Sequence, residues 1–160
     1  LIEKEAMTPE IRETMKAAEG RYLSPEEART VLDACRDVER RLGVMRAVEQ
    51  REAIIVRQTV EKVLSQFPKF YQERPGAQDK CERDVALTLR YCTLAMLHHD
   101  PDLLREKLLY WMRSILRSLE FNEITRFTYE TLGETLKKHL TPAEAEEMRK
   151  YVALCAEELG

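Results

Sequence analysis

The sequence predicts an all-α chain, and three observations carry that prediction. Oxygen-bearing caps stand before proline four times, at Thr8-Pro9, Ser24-Pro25, Asp100-Pro101 and Thr141-Pro142. Between these marks apolar residues recur at spacings of three and four, the pattern of a helix with one buried face. Glycine and proline number only 5 and 6 in 160 residues, too few for a turn-dense all-β domain, and no stretch alternates well enough to read as a strand.

Each cap–proline pair marks a helix start, because proline at the first helical position loses an N–H that would have been unpaired anyway. Ser24 with Glu27 and Thr141 with Glu144 add capping boxes, and acidic residues in the first turns suit the helix dipole. Helices are expected near 2–18, 25–43, 46–66, 78–98, 101–119 with room for a break in two, 123–139 and 142–158. Four apolar stripes support them: Ala28, Val31, Cys35, Val38 and Leu42; Val56, Val60, Val63 and Phe67; Leu104, Leu108, Met112, Ile115 and Leu119; Met148, Val152, Cys155 and Leu159. The clearest non-helical segment is 67–76, where two prolines and a glycine interrupt. Its three aromatics read equally as a wall for a ligand or partner and as packing over a core edge.

Composition bounds the function classes. One chain of 160 residues is about one domain. Its 26 basic and 29 acidic residues leave a net charge of −3, with no overall basic field for nucleic acid. No apolar run nears the roughly 20 residues that cross a bilayer. Four cysteines without a C-x-x-C pair suggest neither a disulfide scaffold nor structural zinc. The start, Leu1-Ile2-Glu3, shows neither an initiator Met nor a signal-peptide pattern, so the chain reads as trimmed and as cytoplasmic.

Most chemistry-bearing residues have ordinary explanations. His98 and His99 are adjacent, about 100° apart on a helix, and cannot make an i, i+4 metal pair. They and His139 read as helix-end decoration. There is no nucleophile elbow and no Gly-rich phosphate loop; the paired glutamates read as solvated faces, and nothing argues for an enzyme. Cys35, Cys92 and Cys155 fall in or near apolar stripes, as small hydrophobes do. Cys81 differs, lying in Asp79-Lys80-Cys81-Glu82-Arg83-Asp84 at a helix start. Cationic neighbours and a helix N-terminus lower a thiol's pKa, and Asp84, three residues on, shares a face with the sulfur. From the residues alone, a reactive or ligand-linked thiol and a charged helix start stand level.

This motif, with Leu89-Arg90-Tyr91-Cys92-Thr93 after it, resembles the chromophore-binding helix of the phycobiliproteins, D-K-C-x-R-D…L-R-x-x-T. Gly20-Arg21-Tyr22-Leu23-Ser24 resembles their G-R-[FY]-L-S, and the stretch from Asp100-Pro101 to Leu119 is similar to that of allophycocyanin-like members. The resemblance implies a single globin-like domain over 1–160, with 1–24 as an N-terminal helical extension for subunit association. It implies an open-chain tetrapyrrole (a bilin, phycocyanobilin foremost) joined by a thioether to Cys81. Asp84 would accept from the inner pyrrole N–H groups, and Arg83 and Lys80 would pair with the propionates. The same resemblance puts Thr88, Tyr110 and Trp111 in the pigment region.

Several positions depart from the pattern. Leu87 and Thr88 stand where the family usually carries two tyrosines, His98-His99 where it carries Ala-Gly, and Tyr110-Trp111 where it carries a small or aliphatic pair. The loop from Phe67 to Gln78 is shorter and has no asparagine. Near the arginine matching Arg90, which in the family pairs across subunits with an acidic residue of the N-terminal helix, only Glu19 is available. The expected function is light harvesting and excitation transfer in a cyanobacterial-type antenna, a phycobilisome at the thylakoid. Its partners would be copies of itself or related subunits, with a bilin lyase or linker protein. The alternative is a bilin-binding globin outside the antenna, serving as carrier, photosensor or partner of bilin synthesis. A third reading makes the motif vestigial.

Overall fold

The computed structural model describes residues 8–119 and 121–160, which contain helices and no strand. In chain order these are α1 (Pro9–Ala17), α2 (Pro25–Gln66), α3 (Pro68–Gln72), α4 (Ala77–His98), α5 (Pro101–Leu104), a π-helical turn (Arg105–Leu109), α6 (Tyr110–Leu119), α7 (Asn122–His139) and α8 (Pro142–Leu159). All four cap–proline pairs start helices, and both capping boxes close reciprocally, Ser24 with Glu27 and Thr141 with Glu144. The helix expected over 2–18 begins at Pro9, with Thr8 as its cap; positions before Thr8 lie outside the described residues.

Three expectations need correction. The helices expected at 25–43 and 46–66 are one helix of 42 residues. A single interior glycine, Gly43, disfavours helix by about 1 kcal/mol against alanine, whereas Val44, Ala47 and Val48 just beyond it are buried. Cys35 is exposed rather than packed, because its stripe lies on the part of α2 that precedes the core. The α2 members of the main hydrophobic cluster begin at Val44, and α1 packs along α2. Finally, the non-helical segment 67–76 contains the short helix α3.

The core is built from α2 beyond Val44 and from α4, α5, the π-turn, α7 and α8, with Ile55, Leu89, Met96, Leu108, Leu132 and Met148 fully buried. Buried Arg41 ties the earlier part of α2 to this core, its Nε donating to the Leu97 carbonyl at 3.1 Å near the end of α4. Arg40 pairs with Glu147 of α8. His99 caps α4 in the left-handed conformation (φ 53°), and His139 bonds Gln58 at 2.7 Å.

The π-turn resolves the break left open in 101–119. It carries the adjacent Leu108 and Leu109 inward together, both fully buried. An extra residue in a turn rotates the rest of the helix by about 100°. Beyond it Met112 is buried and Leu116 half-buried, while Ile115 and Leu119 of the expected stripe are exposed.

Candidate functional site

Gly76 takes the left-handed conformation (φ 82°) and turns the chain from α3 into α4, a geometry glycine adopts without a Cβ penalty. The turn sets the first two turns of α4 facing α6 and the start of α7. Between them lies a cavity of about 360 Å³, within the range of small-molecule sites. Phe70, Tyr71, Arg74, Pro75 and Gly76 form one wall; Lys80, Cys81, Arg83, Asp84 and Val85 form the next. Met112, Leu116 and Leu119 come from α6, and Phe121, Ile124, Thr125, Thr128 and Tyr129 close the far side.

The aromatic segment is therefore both things the sequence allowed. Phe67 packs edge-on against Phe127, with centroids 5.4 Å apart, which is packing over the core. Phe70 meets Phe121 edge-on at 4.9 Å and Tyr71 at 5.0 Å, and these three rings line the cavity. The Arg74 guanidinium lies 4.4 Å above the Phe70 ring, a cation–π contact that holds a charge at the rim.

The electrostatics of Cys81 differ from the sequence expectation. Burial pushes its thiol above the ordinary value, the nearby Tyr71 hydroxyl opposes that rise, and Asp84 and Glu82 add to it. Lys80 and Arg83 instead act on Asp84, whose carboxyl burial raises and these two cations pull back down. Among the described residues Asp84 has no hydrogen-bond partner, and Lys80 no ion pair. Arg83 donates to its own helix, Nε to the Asp79 carbonyl at 3.3 Å.

Four of the seven sequence candidates, Lys80, Cys81, Arg83 and Asp84, thus meet at one cavity. Thr88 does not line it; fully buried one turn further on, its hydroxyl lies 3.1 Å from that of Tyr129. The Tyr129 hydroxyl also donates to Met112 Sδ at 3.6 Å, so Thr88 is the donor to Tyr129. Tyr110 and Trp111 do not line it either. The π-turn rotates them outward, 49% and 45% exposed, and the Trp111 indole donates to the Lys107 carbonyl at 2.9 Å. Tyr71 and Tyr129 were not singled out from sequence. The aromatic run around Tyr71 was a signal; Tyr129 lies 48 positions from Cys81 and reaches the site only through the packing of α7.

Arg90 pairs within the chain, its Nε 2.8 Å from Glu52 of α2. No helix among the described residues is long and apolar enough to cross a membrane.

A family model described as Phycobilisome protein matches residues 15–159. The chain is also similar to allophycocyanin alpha chain 2 of Microchaete diplosiphon, 29% identical over 107 residues, a match covering 64% of this chain and 66% of that relative, just under two thirds of its length. The family match runs from within α1 to the last residue of α8 and takes in every helix that lines the cavity. With this globin-like all-α fold, the chain belongs to the phycobilisome protein family.

Proposed function

We propose that this chain is a pigment protein, not an enzyme, carrying one bilin on Cys81 for light harvesting in a phycobilisome-type antenna. The observation that carries the reading is the cavity beside Cys81, where an apolar, aromatic-walled space meets one thiol, one carboxylate and three cations. The donor set fits a flat, mostly apolar, doubly acidic ligand. Asp84 is half-buried and without a hydrogen-bond partner among the described residues, so it is free to accept from pyrrole N–H groups. Lys80 and Arg83 line the same cavity and would pair with propionates, Arg83 with a bidentate fork. Cys81 supplies the sulfur of the thioether. Thr88 acts through Tyr129, fixing the cavity floor.

When bound, the group supplies a conjugated chromophore, and the surrounding walls restrict its twisting. Phycocyanobilin is the proposed bilin, attached with a lyase. Related subunits and a linker protein are the proposed partners, at the thylakoid face, with neither nucleic acid nor membrane insertion involved. Tyr110 and Trp111, exposed and outside the cavity, are proposed to approach the pigment region only from its outer edge.

Co-expression with a bilin-making system tests the reading. A coloured product with a covalent, zinc-fluorescent band on a denaturing gel is expected, absent in Cys81→Ala. A colourless product, or a band that survives in Cys81→Ala, would overturn it. The Arg90–Glu52 pair favours a second reading, a bilin carrier outside the antenna, because it occupies within the chain an arginine expected to pair between subunits. Sizing the pigmented protein separates the two: rings of six or more chains for an antenna subunit, a monomer or dimer for a carrier.

A further inference from the structure

The fold brings together two cysteines that the pigment reading leaves unused. Cys92 lies on α4, one turn beyond Thr88, and Cys155 lies on α8, 63 positions further along the chain. Their sulfurs stand 3.6 Å apart, and both side chains are fully buried. The Cys155 thiol donates to the Tyr151 carbonyl at 3.3 Å, so the proton between the two sulfurs belongs to Cys92. That bond from Cys92, with burial, holds the Cys155 thiol well above its ordinary value, and its sulfur rests as a thiol. Packing alone asks only for two small apolar side chains here, but two sulfurs facing each other also carry chemistry. A disulfide needs them about 2.0 Å apart. The remaining closure, about 1.6 Å, is shared between two side chains on helices that already pack together.

We propose that Cys92 and Cys155 are a redox modification site, which a peroxide oxidises to a disulfide that clamps α4 to α8. Thr88, one turn before Cys92, bonds the Tyr129 hydroxyl, so the clamp lies next to the cavity floor. The inference stands apart from the pigment reading. Hydrogen peroxide, hardly larger than water, is the class of oxidant that reaches a buried pair through local opening. One sulfur attacks a peroxide oxygen and the O–O bond breaks, leaving a sulfenic acid and hydroxide, which the first thiol's proton turns into water. The second sulfur then attacks the sulfenic sulfur and the S–O bond breaks. The second thiol's proton leaves with that oxygen as another water. Two thiols lose two electrons and one peroxide gains them.

The test uses the full chain without pigment, carrying Cys35→Ser to remove the exposed thiol. Hydrogen peroxide is added under native conditions and raised until Cys81 is oxidised, and the remaining thiols are then alkylated in denaturant. Trypsin cuts after Arg90, Arg105 and Lys150, so Cys92 falls in 91–105 and Cys155 in 151–160, each as the single cysteine of its peptide. Mass spectrometry should find these two peptides joined, with the loss of two hydrogens. The linked chain should melt roughly 5–15 °C higher than the reduced one, and a dithiol reductant should reverse the shift.

The same treatment in urea is the reference. In an unfolded chain Cys81 and Cys92, the nearest pair in sequence, close the shortest loop, so their link should dominate there, whereas the folded chain should give Cys92–Cys155. A folded chain that yields the urea pattern would overturn the proposal. So would Cys92 and Cys155 recovered as free thiols, or as separate sulfinic acids, once Cys81 is oxidised. A link that forms while the melting point stays or falls would overturn the clamp. No bilin enters these measurements, so the two readings fail separately. A chain that links and takes up no pigment overturns the pigment reading alone, and one that takes up pigment and does not link overturns the clamp alone.

Discussion

Tyr129→Phe is the perturbation that isolates the cavity floor. The Tyr129 hydroxyl accepts from Thr88 at 3.1 Å and donates to Met112 Sδ at 3.6 Å, with all three residues buried. A neutral buried hydrogen bond contributes about 1 kcal/mol net, and the sulfur contact is weaker. Thr88 need not be stranded, since Thr59, Thr93, Thr128 and Thr135 all donate to the carbonyl four residues back. With that escape open, Tyr129→Phe should lose about 1–1.5 kcal/mol. Thr88→Val leaves the sulfur bond in place and should lose about 1 kcal/mol. The double variant should lose less than the sum, by ~0.5–1 kcal/mol, because each single change already breaks the shared bond. Urea unfolding measures all four chains, with an unchanged m value showing that only stability has moved. Strict additivity, or a Tyr129→Phe chain as stable as its parent, would refute a role for this bond in holding the floor in place.

Two other contacts make predictions of their own. Arg41→Ala removes a side chain only 3% exposed and leaves the Leu97 carbonyl without its partner. A loss of about 2–3 kcal/mol is expected, seen as a Tm lower by roughly 4–12 °C and as faster hydrogen exchange in residues 25–43; an unchanged Tm would count against the anchoring role. Glu27, held by Arg21 and the Ser24 amide, has its carboxyl pulled from 4.5 to about 2. A depressed folded-state value means that the unfolded chain binds more protons in that window, so the stabilisation is present above pH 4.5 and is lost as pH falls toward about 2. The Tm difference between parent and Glu27→Gln should narrow over that interval in low salt, and a pH-independent difference would contradict the assignment.

The fold was legible where local chemistry decides it and obscure where packing does. Caps act through bonds three residues away, so all four cap–proline starts stand where their letters predict. The break expected between 43 and 46 does not occur, because the propensity cost of Gly43, about 1 kcal/mol, is set against the burial of Val44, Ala47 and Val48 beside it. Cys35 misled for the converse reason: periodicity shows that a face is apolar and not whether anything covers it. The π-turn left no mark in the sequence: Leu108 and Leu109 are adjacent and both fully buried, but so are Thr88 and Leu89 within the regular helix α4.

The site divides along the same line. Lys80, Cys81, Arg83 and Asp84 lie within five residues, and helical geometry alone brings them together. The influences on the sulfur come from elsewhere, because burial is a property of the assembled walls and not of the α4 sequence. Two charges beside a thiol suggest activation, but desolvation of the thiol opposes it. Once α3, α6 and α7 close around it, burial opposes ionisation, and the cations exert their influence on Asp84, where the same burial acts on a carboxyl. The aromatic wall of that space was hidden for the same reason: Tyr71 lines it from α3, a five-residue helix that proline and glycine punctuation had marked as loop.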